Sequence, residues 1–316
     1  MVLTPCGSSK KSSSWDRNPR PYCDCWSNRC PVAWRNPNNC SCGEEYEVSE
    51  WKWQKPEPTG LTLAVVSEDK KEVTFHPFYS SGTAVIKGDT ALQHNNHYYW
   101  EVKMLTETYG TDIMVGVGTD KVNTSDSQYE FTSFLGKDGE SYGLSYTGAL
   151  RHNATVARNG FGFCRGSIIG VMVDMWKGAL TFYLNRVPLD VRFYNLRRHQ
   201  MLYPMLCSTA AQSSLRLIYA SSWRASLLVD AAKILAASVK GEAKLRIPPG
   251  IWYTLRNNFW LTLPHGGCVL EEGETAMEEE PSRAISSALH EIFPSQYMNG
   301  FYVDNVERDY RIVVYE

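Results

Sequence analysis

Nine cysteines are spread unevenly along the 316-residue chain, and five of them could do chemistry together. Two Cys-x-Cys pairs, Cys23 with Cys25 and Cys40 with Cys42, stand near the start, with Cys30 between them. Four thiolates at about 2.3 Å suit a tetrahedral Zn²⁺. Cys-x-Cys departs from the usual Cys-x₂₋₄-Cys knuckle, so a tail of reduced, unligated thiols is the competing reading. No cofactor is expected beyond zinc at these pairs. Elsewhere the signs of catalysis are thin: no phosphate-cradling Gly-rich loop with Lys and no His-Glu-x-x-His occurs. His94 and His97 share a loop-like stretch with Asn95 and Asn96, and a pair alone is an incomplete metal site. Asp174 and Asp190 lie near turns, where capping is the ordinary use of a carboxylate. The chain reads as a non-catalytic protein.

Composition narrows the partners. Lys plus Arg number 32 and Asp plus Glu 34, a net charge of −2, which supplies no general attraction to nucleic acid or anionic lipid. The most apolar runs, such as 113–117 and 168–173, fall far short of the ~20 residues of a membrane-spanning helix. Residues 1–15 are Ser- and Lys-rich without an apolar stretch, so no secretory signal is visible. An intracellular location, nucleus and/or cytoplasm, is expected, with the cysteines reduced.

The elements follow from periodicity. Residues 1–50 are rich in Ser, Asn, Pro and Cys and poor in aliphatics, and read as a flexible lead-in. Tyr98, Trp100, Val102 and Met104 then alternate with Tyr99, Glu101 and Lys103, the period of a strand with one buried face. The run 113–118 is continuous and rich in β-branched residues, as in a strand covered on both faces. Residues 168–174, 179–184 and 187–191, separated by Lys177-Gly178 and Asn185-Arg186, form a meander of hairpins. A further strand spans 215–219. Short strands with regular turns and no helical period between 60 and 220 predict an all-β antiparallel sandwich over 51–222.

After Ser222 the period changes. Leu227, Ala231, Ile234, Leu235 and Ser238 fall at helical spacing, with Ser226 to cap the start and Gly241 to end it. Pro248-Pro249 is placed to open a second helix carrying Ile251, Trp252, Leu255 and Phe259. A small α-helical module is therefore expected over 223–262. An acidic link and short mixed tail of unknown role occupy 263–316, with an amphipathic segment at 281–293 and a strand-like end at 311–315.

Several runs resemble a known family: Trp100-Glu-Val, 109–118, 141–146, 166–171, 178–182 with Asn185-Arg186, and 203–211 are similar to a SPRY (B30.2-type) domain of the SPRY domain-containing SOCS box proteins. The likeness extends over about Trp51 to Trp260. It implies an adaptor whose SPRY loops grip a short Asn-containing motif of a target protein. The SOCS box would recruit elongin C, elongin B and a cullin (5 or 2) with its RING subunit, leading to ubiquitination and proteasomal degradation of the target. An interaction scaffold that recruits no ligase is the alternative. The family's peptide-binding positions map here onto Phe75, Pro77, Tyr79, Tyr129, Thr209, Ala210 and Ala211. Its elongin C contacts map onto Leu227, Ala231 and Leu235, and its cullin-contacting segment onto Leu245, Ile247, Pro248 and Pro249. Two departures stand out. Ala231 replaces the family's Cys, a loss of roughly 1 kcal/mol by large-to-small reasoning, and Arg246 replaces a Pro. The family's peptide-binding Arg is also missing, which lowers the demand for an acidic ligand residue.

Overall fold

The computed structural model describes residues 19–26, 40–46, 48, 50–56, 63–123, 126–158, 162–238, 250 and 259–263. Among them, thirteen strands build two antiparallel sheets. They are β1 (Ala64–Val66), β2 (Glu72–Phe75), β3 (Ala84–Lys87), β4 (Asn96–Met104), β5 (Ile113–Gly118), β6 (Ser141–Ser145) and β7 (Ala149–His152). The set continues with β8 (Thr155–Arg158), β9 (Ile168–Asp174), β10 (Ala179–Leu184), β11 (Val187–Phe193), β12 (Tyr203–Ser208) and β13 (Ser213–Arg224). The first sheet has the order β1-β2-β13-β4-β9-β10-β11 and the second β3-β12-β5-β6-β7-β8. One helix, α1 (Leu227–Ser238), follows β13 directly, and a 3-10 turn spans Phe259–Thr262.

The sandwich expected from the alternation is present, and its strands bury what the period of two says they should. Trp100, Val102 and Met104 of β4 meet Val115 and Val117 of β5, Leu206 of β12 and Phe182 of β10 in one apolar core. At full burial each such side chain contributes about 1.5–3 kcal/mol. The hairpin boundaries at 168–174 and 179–184 match the strands found. β13 is longer than the expected 215–219, because its outer half pairs with β4 from His97 to Glu101.

The other face of β4 corrects the sequence reading. His97, Tyr99, Glu101 and Lys103 point outward, yet all four are buried. Two segments distant in sequence cover them. Residues 20–26 and 40–46, expected to be a loose lead-in, pack in these described parts over Glu101 and Lys103, with Lys103 Nζ 2.7 Å from the Cys40 carbonyl. At the other end α1 and Trp260 pack over Tyr99, with Tyr183 and Tyr219 in the same cluster. The second sheet is covered too: the long β5–β6 connection brings Phe134 and Leu135 over Met114, Met205 and Cys207.

The helical module is described only at α1, Gly250 and residues 259–263. Residues 239–249, the expected amphipathic segment at 281–293 and the strand-like 311–315 lie outside the described residues.

Candidate functional site

Antiparallel pairing decides which loops meet. β2 and β12 end, and β3, β5 and β13 begin, at the same end of the sandwich. Loops 76–83, 105–112 and 209–212 therefore form one rim. The β5–β6 connection climbs back to join them: Ser81 Oγ donates to the Gln128 carbonyl at 3.3 Å, and Thr83 Oγ1 to that of Glu130 at 2.6 Å. Ser80 Oγ donates to the Thr209 carbonyl at 2.7 Å, and the Thr209 N–H to that of Asp112 at 2.9 Å. A loop tied by backbone acceptors keeps its shape whatever its exposed side chains are, which is what a recognition surface requires.

On this rigid rim stand the large apolar side chains that the fold leaves in water. Phe78 is 79% and Tyr129 74% exposed, with Tyr79, Phe131 and Tyr109 also exposed. The Tyr109 hydroxyl donates to the Ala211 carbonyl, joining the 105–112 and 209–212 loops. Aromatic side chains bring much contact area at little conformational cost, and several on one rim mark a protein-binding surface. Beneath them lies His76, fully buried at a left-handed φ of 45°. Its Nε2–H donates to the Ser208 carbonyl at 3.0 Å, and burial holds the imidazole below its ordinary pKa, hence neutral.

The residues expected to contact a peptide divide into two groups. Tyr79 and Tyr129 are exposed, and Pro77 and Ala211 are half-buried on the rim. Phe75, Thr209 and Ala210 need correction. Phe75 pairs with Ser213 in the first sheet and is fully buried in the core. Thr209 spends its hydroxyl on Asp112, and Ala210 is buried with its N–H bonded to Ser208 Oγ at 3.0 Å. These three shape the rim from below. The sequence reading placed Phe78 only within the loop 75–79 and missed Tyr109 and Phe131, whose signal is an aromatic inside a Gly-, Ser- or Thr-rich turn stretch.

Gly139-x-Ser141-x-Gly143, also passed over, has the pattern of a hydrolase nucleophile turn. Ser141 instead opens strand β6, is buried, and accepts the Gly136 N–H at 2.8 Å. It lacks the strand-to-helix turn that would expose a nucleophile. Asp174 caps a turn as expected, its Oδ1 accepting the N–H groups of Trp176 and Lys177 at 3.0 and 2.8 Å.

The second candidate surface is α1. Ser226 Oγ accepts the Val229 N–H at 3.3 Å, the capping expected at that serine. From that start the helix turns Val229 and Ala232 inward onto Tyr99, Tyr183, Tyr219 and Trp260. Leu227 is 69% exposed, Leu228 nearly as much, and Ala231 lies one turn further along the same open face. Leu235 is half-buried at the edge of the inner cluster. Lys233 reaches down to the sheet, its Nζ 3.2 Å from His97 Nδ1 and 3.9 Å from Asp174 Oδ2. Burial lowers the Lys233 pKa, with Asp174 opposing. The helix is thus docked and open at once. Leu245, Ile247, Pro248 and Pro249 lie outside the described residues.

The β-sandwich that carries this rim is a SPRY domain: the SPRY family profile matches residues 97–221. Two relatives, both called SPRY domain-containing SOCS box protein 3, come from Xenopus laevis and Xenopus tropicalis. Each is 41% identical over 254 residues, covering 78% of this chain and 69% of the relative. The chain belongs to the SPRY domain-containing SOCS box protein family. Similar solved structures include the TRIM65 PSpry domain, at 19% identity and a TM-score of 0.43 over 54% of this chain and 90% of that one. The SPRY domain of human HERC1 is another, at 18% identity and a TM-score of 0.40 over 52% of this chain and 93% of that one. No helix among the described residues is long and apolar enough to cross a membrane.

Proposed function

We propose that this chain is the substrate-recognition adaptor of an elongin B/C–cullin–RING ubiquitin ligase, and performs no bond chemistry itself. The observation that carries the reading is the open apolar face of α1, Leu227, Leu228 and Ala231, directly after the SPRY domain. Two exposed leucines at a helix start are a liability in water unless a partner covers them, and SOCS box is part of the relatives' name. In this reading Leu227, Ala231 and Leu235 meet elongin C, residues 223–262 form the SOCS box, and Leu245, Ile247, Pro248 and Pro249 face cullin 5 or 2. The rim, through Pro77, Tyr79 and Tyr129 with the backbone near Ala211, holds a short Asn-containing segment of the target. Holding target and ubiquitin carrier in one assembly raises their effective concentration, and the target is sent to the proteasome. The compartment is intracellular, nuclear or cytoplasmic.

Ala231 and Arg246 favour a second reading, a SPRY scaffold that recruits no ligase. An isotherm with purified elongin B–elongin C separates the two. Wild type is expected to bind, and Leu227→Asp to lose binding with its melting temperature unchanged, since Leu227 is mostly in water. If wild type and variant alike give no heat of binding, the adaptor reading is lost and the scaffold stands.

A further inference from the structure

Four sulfur atoms from two separate segments meet on the outer face of the first sheet. Cys23 Sγ lies 3.4 Å from Cys40 Sγ, and Cys25 Sγ 3.8 Å from Cys42 Sγ. All four lie within 4.8 Å of one another, and each cysteine is half-buried. A Zn²⁺ held at about 2.3 Å by four thiolates needs sulfurs about 3.8 Å apart, so closing the cluster onto an ion asks for shifts of about an ångström or less. We propose that Cys23, Cys25, Cys40 and Cys42 bind one Zn²⁺ as a closed, structural tetrathiolate site.

The surroundings fit a site of that charge. Four thiols release four protons on binding, and the resulting complex carries two negative charges. Lys103 supplies a fully buried counter-charge. Its Nζ donates to the carbonyls of Cys40 and Cys42 at 2.7 and 3.1 Å, pairs with Glu44 at 2.8 Å, and stands 3.7 Å from Cys40 Sγ. An N–H donor behind a metal-binding thiolate is the outer-shell support such sites use. Soft sulfur ligands in this number select zinc over calcium or magnesium, which take oxygen. Four protein ligands leave no position open for substrate water, so the role is structural.

Both segments are fixed by contacts that owe nothing to sulfur. Cys25 sits within the 3-10 turn Asp24–Trp26, and the Tyr22 N–H donates to the Gly166 carbonyl at 2.9 Å. Cys42 precedes Gly43, which has a φ of 87°, and a side chain there would run into Ile168 of β9. Arg186 then clasps both segments, donating to Tyr22 Oη at 2.9 Å and to the Gly43 carbonyl at 3.1 Å. The ligands are therefore delivered as two pre-set pairs. The metal would staple 20–26 to 40–46 and hold both against Lys103 and Glu101. Cys-x-Cys spacing, unusual for one continuous knuckle, is natural when each pair is half of a site.

The test uses the full chain, purified under reducing conditions, given zinc sulfate and gel-filtered. Metal analysis and native mass spectrometry are expected to show one zinc per chain. Replacement by Co²⁺ should give the visible d–d and sulfur-to-cobalt bands of a tetrahedral tetrathiolate. Cys40→Ser/Cys42→Ser should lose the metal, while Cys164→Ser and Cys30→Ser keep it. Three outcomes overturn the proposal. One is no retained metal with all thiols free to alkylation. Another is a mass four hydrogens lighter, meaning two disulfides. The third is zinc that persists in the double variant. The wild-type metal content and cobalt spectrum decide the matter even if the double variant does not fold.

Discussion

The outer face of β4 is covered twice, and the two covers use opposite chemistry. Over Glu101 and Lys103 the cover is polar: backbone carbonyls, four sulfurs and two glutamates, Glu44 beside the buried Lys103 and Glu45 beside the half-buried Arg186. Over His97 and Tyr99 it is apolar: Val229, Ala232 and Trp260, with Trp260 stacked on Tyr99 at 6.5 Å and an interplanar angle of 17°. The polar cover is held by directional bonds from Lys103 and Arg186 to named carbonyls, hydroxyls and carboxylates. The other cover rests mainly on apolar area, with one polar tie from Lys233 to His97 and Asp174, so α1 can dock with one face and keep Leu227 and Leu228 outside. A helix held mostly by packing on one face can serve two surfaces. A loop held by ion pairs serves one.

The covers meet at Glu101. Its carboxylate, fully buried, accepts Nε and Nη2 of Arg186 at 3.0 Å each on the polar side, and the Tyr99 hydroxyl at 2.7 Å on the apolar side. Burial raises the Glu101 pKa, with Arg186 and the Tyr99 hydroxyl opposing. Glu101→Gln carries the largest expected effect, because it removes the buried charge partner of the half-buried Arg186: about 3 kcal/mol by urea unfolding, the low end for a broken buried pair, since Glu45, Tyr22 and Gly43 still hold the guanidinium. Hydrogen exchange should show both covers loosening together, at residues 20–26 and 40–46 and in α1. Loosening of one alone would mean that the covers are independent.

A smaller effect separates them by pH. His97 and Lys233 hold the Asp174 pKa down to about 2 against the pull of burial. The sign follows from linkage: a carboxyl with a folded pKa below its unfolded value near 3.9 stabilises above that value and loses the stabilisation as pH falls through it toward 2. The amount is about 2 kcal/mol. Protection of α1 should therefore fall between about pH 4 and pH 2. Asp174→Asn should start with that loss and show a flat profile over the same range. An unchanged profile in the variant would remove Asp174 from the docking of α1.

The inner half of this arrangement was legible in the sequence and the outer half was not, for one reason. Trp100, Val102 and Met104 declare the core by their period of two, a local signal. Tyr99, Glu101 and Lys103 have the types of a solvated face, and what buries them comes from about 60 residues upstream or over 120 downstream. The upstream cover read as loop because its bonds run to a distant sheet, which composition does not show; the downstream one read as a helix, but its spacing does not say which strand it covers. The cysteine pairs were visible as possible ligands, but only the fold brings Cys23 beside Cys40. On the rim, Phe75 was assigned to a ligand although Val73 and Phe75 alternate with Glu72 and Thr74 as a half-buried strand does. Mapping loop positions by resemblance overrode that simpler signal.

The last contrast sets the rim against both covers, and its expected effect on stability is the smallest. Tyr129 is 74% exposed at the end of a short 3-10 turn, Asp126–Tyr129. The shape of its loop is kept by Thr83, Ser81 and backbone groups and owes nothing to the ring. Tyr129→Ala should therefore shift unfolding by no more than about 0.5 kcal/mol. Binding to an array of Asn-containing peptides should be lost, because an aromatic anchor on a rigid rim carries more of the contact energy than its neighbours. Elongin B/C binding, proposed above for α1, should be unaffected. If stability and peptide binding fall together, the ring supports the loop; if neither falls, the rim binds through Phe78, Tyr79 and Phe131 without it. Only loss of peptide binding at constant stability makes Tyr129 a contact residue and leaves the client rim and the elongin face as separate surfaces.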